Sequence, residues 1–172
     1  MPRTHISVAA LSALKREAFV AALDGIFEHS PWVAEAAWSA RPFADREDLL
    51  AALLKAMRCA PYAQQLALIR AHPELAGRAA IRGELTVESL GEQAGAGLDH
   101  CSAEEFQRLQ LLNAHYVAKF GFPFILAVRG YDRAGIIARF ADRLNNTPEA
   151  EFDEALTQIA RIAALRLADR VI

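Results

Sequence analysis

What this chain lacks narrows its possible functions before any motif is considered. Cysteine is scarce: Cys59 and Cys101 are the only two, they form no CxxC, and two thiols cannot hold a metal alone. A reduced, intracellular protein is the expectation. No apolar run approaches the ~20 residues a membrane span needs, so no membrane association is expected. The opening MPRTHISVAA carries one Arg and no long apolar core, which argues against a secretory signal. Neither sign of charge dominates: 19 Lys and Arg stand against 21 Asp and Glu, for a net charge of −2. The basic residues are scattered, often beside acidic ones, so no phosphate-tracking surface is expected and nucleic acid is excluded as a partner. His5, His29, His100 and His115 have no metal-ligand spacing, and no metal site is expected. Repeats, low-complexity tracts and linkers are absent.

What is present is apolar and helical. With 172 residues, 53% apolar and 23% charged, residues 1–172 suit one domain with a sizeable core. Apolar residues recur at helical spacing from end to end. A first helix is expected from Ser12 to Phe27, with Phe19, Leu23, Ile26 and Phe27 on one face. In HSPWVAEAAWSARP, Ser30 reads as an N-cap, Pro31 as the first helical residue and Pro42 as the stop. Asp45 opens a third helix and Pro61 a fourth, which must stop at His72 because Pro73 disfavours helical dihedrals before it. Thr86 caps a helix holding Glu88, Ser89, Glu92 and Gln93. Ser102 with Glu105 forms a capping box for a long helix ended by Gly121. Asp132 opens another, and Thr147 with Pro148 the last. FPFILAVRG (122–130) alone looks strand-like; one strand makes no sheet, so a buried extended segment or short helix is expected. The fold class is all-α, a single-domain multi-helix bundle.

Some polar groups do not suit this pattern. On the last helix Phe152, Leu156, Ile159 and Ala163 draw an apolar stripe whose next steps are Arg166 and Arg170. Arg166 either snorkels, pairs with a buried carboxylate as structural glue, or serves as a clamp for an anion or carbonyl. His72 ends a helix, where the macrodipole favours the imidazolium; it is a capping residue or a proton carrier near neutral pH. Ser89 and Glu92 share one helical face, while Val87, Leu90, Ala94 and Leu98 mark another; the plain reading of the pair is an exposed polar face. Residue pattern alone supports a helical domain with a candidate acid/base site at His72, Glu92 and Arg166.

Five stretches taken together resemble a known family: FEHSPWVAE (27–35), HPELAG (72–77), GELTVESLGEQAGAGL (83–98), LNAHYVAKFGFPFILAVRG (112–130) and ALRLADRV (164–171). In this order they resemble the 2-oxo-4-hydroxy-4-carboxy-5-ureidoimidazoline decarboxylases, which complete the conversion of urate to (S)-allantoin. The resemblance implies an all-helical homodimer acting on a small-molecule substrate, without metal or organic cofactor. It assigns catalysis to His72 and Glu92, and substrate binding to Arg166, Ser89, Pro73 and Gln93. Phe124 and the backbone amides of Ile125 and Leu126 complete the implied site. The chain ends DRVI and lacks Ser-Lys-Leu, so a cytoplasmic location is expected. Competing readings are a lyase or isomerase acting on another ureido compound and a non-enzymatic helical interaction domain. A metal-dependent hydrolase is disfavoured by the missing ligand cluster.

Overall fold

A computed structural model describes residues 5–172, the side chains of Arg78 and Ala79 excepted. The described residues form ten α-helices: α1 (Val8–Ala13), α2 (Arg16–Ala22), α3 (Trp32–Ala37), α4 (Arg46–Cys59), α5 (Tyr62–Ala71), α6 (Arg78–Arg82), α7 (Val87–Gly95), α8 (Ala103–Phe120), α9 (Arg133–Arg143) and α10 (Pro148–Ala168). Among these residues there is no strand; Ile6 and Val171 make one isolated parallel bridge. The class is all-α, as the periodicities require.

Local chemistry sets most of the helix starts. Asp45 accepts from the Asp48 amide at 2.8 Å, Thr86 from Ser89 at 3.2 Å and Asp132 from Gly135 at 2.7 Å. Each bond satisfies an amide that the first turn leaves without a partner. Ser102 Oγ accepts from the Glu105 amide at 3.1 Å while Glu105 Oε2 accepts from the Ser102 amide at 2.9 Å, a reciprocal box. Gly121, at φ 76°, closes the same helix.

Three local expectations differ from the structure. The helix expected from Ser12 to Phe27 is two, because Leu14 and Lys15 are extended (ψ 147° and 160°). Arg41 Nη1 donates to the carbonyls of Ser12 and Leu14 at 3.2 and 3.0 Å, and Trp38 Nε1 to Leu14 at 3.3 Å. Side chains distant in sequence thus satisfy carbonyls that a continuous helix would have used. Ser30 does not cap: α3 starts at Trp32 behind Pro31, whose backbone is already helical (φ −61°, ψ −21°) with no side-chain cap. The short α6 has no counterpart in the sequence reading. Residues 123–128 belong to neither helix nor strand.

The chain divides into two compact units, one of residues up to Leu68 with Ala160–Ile172, the other of Ile69–Ile159. In the first, α3 packs on α4, and Leu11, Phe19, Val33, Leu49, Leu53 and Met57 are fully buried together with Ala163, Leu167 and Val171. In the second, Tyr116 is the hub of an aromatic core. Its ring meets Phe124 and Phe140 edge-on at 5.4 and 5.7 Å, and those two stack at 3.9 Å.

Candidate active site

Helix α7 is turned against its own hydrophobicity. Ser89 and Gln93 are 4% and 6% exposed, whereas Val87 and Leu90 on its other side are 72% and 55% exposed. A surface helix ordinarily buries its apolar stripe, so the exposed-polar-face reading of Ser89 fails. Glu92 is half-buried. The polar side of this helix faces protein, and that asks for partners or a ligand.

Gln93 has found partners. Its Oε1 accepts from the Ala76 amide at 3.0 Å, and its Nε2 reaches the Glu74 carbonyl at 3.4 Å. Both groups lie in the turn that follows His72 and Pro73. His72 itself ends α5, as expected: its amide donates to the Ile69 carbonyl at 3.2 Å and its side chain is buried. Hydrogen bonds therefore tie the α7 helix of Ser89 and Glu92 to the HPELAG turn, within one unit.

The expected substrate-lining stretch lies in the same unit, and Phe124, Ile125 and Leu126 are all buried. It is held by a network the sequence reading did not anticipate. Arg143 Nη1 donates to the Ile125 carbonyl at 2.6 Å, and its guanidinium lies over the Phe124 ring at 4.3 Å. Its Nε donates to Glu151 Oε1 at 2.6 Å; Tyr116 Oη donates to the same oxygen at 2.5 Å, and Asn146 donates to Oε2 at 2.8 Å. Burial, reinforced by the Glu151 carboxylate, pushes the Tyr116 phenol well above its ordinary range. Two residues on, the Ala127 amide donates to Gln158 Oε1 at 3.0 Å.

Arg166 belongs to the other unit. It points inward, 5% exposed, and its Nη1 donates to Glu28 Oε2 and to the Gly25 carbonyl, both at 2.9 Å. Glu28 is 1% exposed. The buried carboxylate weighed as a partner for Arg166 is therefore present. Arg170, one step further along the stripe, donates to the Asp24 carbonyl.

An open cleft of about 460 Å³ lies on the apolar side of α7, lined by Ile81, Leu85, Leu90, Leu98 and Phe106. It shares Gln93 with the candidate site, but His72, Ser89 and Glu92 do not line it. Among the described residues, no three His, Cys, Asp or Glu side chains converge as metal ligands.

Glu28, Arg143 and Glu151 went unnoticed in the sequence, although the test that singles out Arg166 would have found Arg143. Ile136, Phe140 and Arg143 step by four and three along a buried stripe. Glu28 offers no such signal, because it sits between Gly25 and His29, both with positive φ (79° and 44°).

Comparison with known proteins identifies the family. The family model for OHCU decarboxylase matches residues 12–168. The 2-oxo-4-hydroxy-4-carboxy-5-ureidoimidazoline decarboxylase of Amia calva is 42% identical over 159 residues, 92% of this chain and 91% of that protein. The protein of the same name from Haloferax volcanii is 40% identical over 96% of both chains. A crystal structure of (S)-allantoin synthase superposes with a TM-score of 0.76 at 30% identity, covering 96% of this chain; this chain spans about half of that one, 54%. With a family match spanning most of its length and relatives this similar along their own, the chain belongs to the OHCU decarboxylase family.

Proposed function

We propose that this protein decarboxylates 2-oxo-4-hydroxy-4-carboxy-5-ureidoimidazoline to (S)-allantoin and carbon dioxide, the last step of urate oxidation. Membership of the family supports the reaction class. The observation that carries the assignment of the site is α7, which buries Ser89 and Gln93 while leaving Val87 and Leu90 in solvent.

The substrate carries a carboxylate and a hydroxyl on one ring carbon, next to a carbon doubly bonded to nitrogen. When the carbon–carboxylate bond breaks, its electron pair moves into that imine, whose nitrogen takes up a proton, and carbon dioxide leaves. The hydroxyl then gives up its proton as the ring carbonyl forms, and the neighbouring carbon takes one proton on one face. The electron sink is within the substrate, so orientation, charge placement and proton delivery remain for the protein, with no cofactor.

In this reading His72 and Glu92 are the coupled acid/base pair that removes the hydroxyl proton and protonates the new stereocentre. Ser89 orients through its hydroxyl, and Arg166 binds anionic or carbonyl oxygens with its planar fork. Pro73, Gln93 and Phe124 line the substrate, and the amides of Ile125 and Leu126 donate to it. The reading extends to a cytoplasmic homodimer built from single-domain chains.

The test is circular dichroism in the allantoin bands, with urate, urate oxidase and hydroxyisourate hydrolase supplied. Rapid accumulation of one enantiomer is expected, unchanged by exhaustive chelation. A slow, racemic background would overturn the proposal, and activity lost to the chelator and restored by zinc would overturn cofactor independence. Sedimentation should give twice the chain mass.

A further inference from the structure

The turn after His72 is held by far more than its own backbone. Ala76 stands at φ 49°, a left-handed conformation that crowds the Cβ of any residue but glycine. A Cβ on Gly77 would meet Glu74 Cβ at 2.5 Å, so the turn closes too tightly for any other residue there. Leu75 and Ala76 are buried, where an unpaired backbone group is costly.

Three side-chain amides from two helices satisfy this backbone. Gln93 of α7 takes the Ala76 amide and the Glu74 carbonyl, as described above. From α8, Gln110 Nε2 donates to the Ala76 carbonyl at 2.7 Å, and Asn113 Nδ2 to the Leu75 carbonyl at 2.9 Å. Gln93 and Asn113 are themselves buried. A strained backbone persists only where its surroundings over-determine it, and such places cluster at functional sites. Here the strained residue lies four positions after His72, joined to it through Pro73, whose ring fixes one dihedral of the link.

We propose that Gln110 and Asn113, acting with Gln93, are positioning residues for His72: they lock the 74–77 turn and thereby fix where the imidazole stands. This rests on the reading of His72 as a proton-transfer group. It gives Gln93 a second duty, since both ends of its amide are engaged with the turn. It also explains why α8 carries Gln110 and Asn113 toward the turn instead of apolar side chains.

The experiment measures kcat and KM for Gln110→Met, which keeps the length and removes the donor, alone and together with Ala76→Gly. His72→Asn is measured alongside. A slightly misplaced catalytic group loses on the order of 10–100-fold in rate, so Gln110→Met should lower kcat by that much with KM within about threefold. Because glycine adopts left-handed dihedrals freely, the turn should hold without the Gln110 bond when Ala76→Gly is present, and the loss of kcat should shrink several-fold. Asn113→Ala should behave as Gln110→Met does. A merely structural bond would lower the melting temperature and leave kcat unchanged, and equal losses of kcat with and without Ala76→Gly would also overturn the inference. If His72→Asn keeps full turnover, the reading of His72 falls and this inference with it. If His72→Asn is inactive while Gln110→Met and Asn113→Ala are normal, the inference alone is wrong.

Discussion

Arg166 Nη1 and Glu28 Oε2 stand 2.9 Å apart in a site where the two side chains are 4% and 2% exposed. They are separated by 138 residues, and each removes the other's charge from an interior that would not tolerate it alone. The pairing sharpens what Arg166 variants should do. Arg166→Met leaves Glu28 charged and buried, which costs about 3–5 kcal/mol, so the thermal midpoint should fall steeply. Adding Glu28→Gln removes the orphaned charge and should recover much of that loss. Arg166→Lys keeps the charge but loses the fork, and should raise KM with a smaller drop in midpoint. Thermal melts and steady-state kinetics on the parent, these three variants and Glu28→Gln alone decide it. Additive destabilisation in the double variant would show that the two side chains are not coupled, and near-normal KM in Arg166→Lys would place Arg166 in the scaffold alone.

His72→Asn and Glu92→Gln should each leave the far-ultraviolet dichroism intact and remove most turnover, by ~10²–10⁴-fold, the usual contribution of a general acid or base. Because the two act as a unit, the double variant should be scarcely worse than the worse single one. Multiplicative losses in kcat would show that they act independently.

Tyr116 should stay protonated through the alkaline range. Its phenol is raised by burial first and by Glu151 second. A raised folded pKa contributes stability that is fully present below the unfolded value near ~10 and is lost as pH climbs through the folded one. Of the three tyrosines, therefore, Tyr116 should give no tyrosinate absorbance until the protein unfolds. Tyr116→Phe should remove one tyrosine's worth of absorbance change from that unfolding step. An unaltered alkaline unfolding step in Tyr116→Phe would contradict this.

Glu105 makes the opposite contribution at acid pH. Its carboxylate is held below the ordinary range, chiefly by the Ser102 amide and next by Arg133. A depressed folded pKa stabilises above the unfolded value near ~4.3 and loses that contribution as pH falls through the folded one. Glu105→Gln can still accept from Ser102 but cannot titrate, so the variant's melting temperature should depend less on pH below about 4.3. Parallel curves for the two proteins would show that the box carries no charge effect.

The sequence made legible what is decided locally. Asp45, Thr86, Ser102 and Asp132 announce helix starts because the capping oxygen and the amide it serves lie within three residues. His72 is announced by Pro73, and the inward turn of Arg166 by the stripe it continues. What is decided by distant partners was not legible. Nothing near Leu14 shows that Arg41 and Trp38 will take its carbonyl and break the helix. Likewise the polar identity of Ser89 and Gln93 does not reveal that they, and not Val87 and Leu90, face inward. Gln93 meets the Ala76 amide and the Glu74 carbonyl, partners 17 and 19 residues away in sequence. Asn113 was within reach, since it lies on the α8 stripe between Leu109 and Tyr116, where a polar residue is out of place.

The two compact units differ in how the chain supplies them. Residues 69–159 are contiguous, so that unit can complete its contacts as soon as they are made. The other unit needs residues 160–172 to return to partners laid down before residue 69, closing a loop of some 90 residues. Its last contacts include Arg46 Nη1 on the Val171 carbonyl at 3.1 Å and the pairing of Ile6 with Val171. Loop closure of that length is slow more than it is unfavourable, since its entropy grows only with the logarithm of the loop. During synthesis, Glu28 therefore waits for its arginine until almost the whole chain has left the ribosome. An interrupted chain lacking the last turn of α10 would leave the Glu28 carboxylate without Arg166, the partner that its buried position holds in the folded unit.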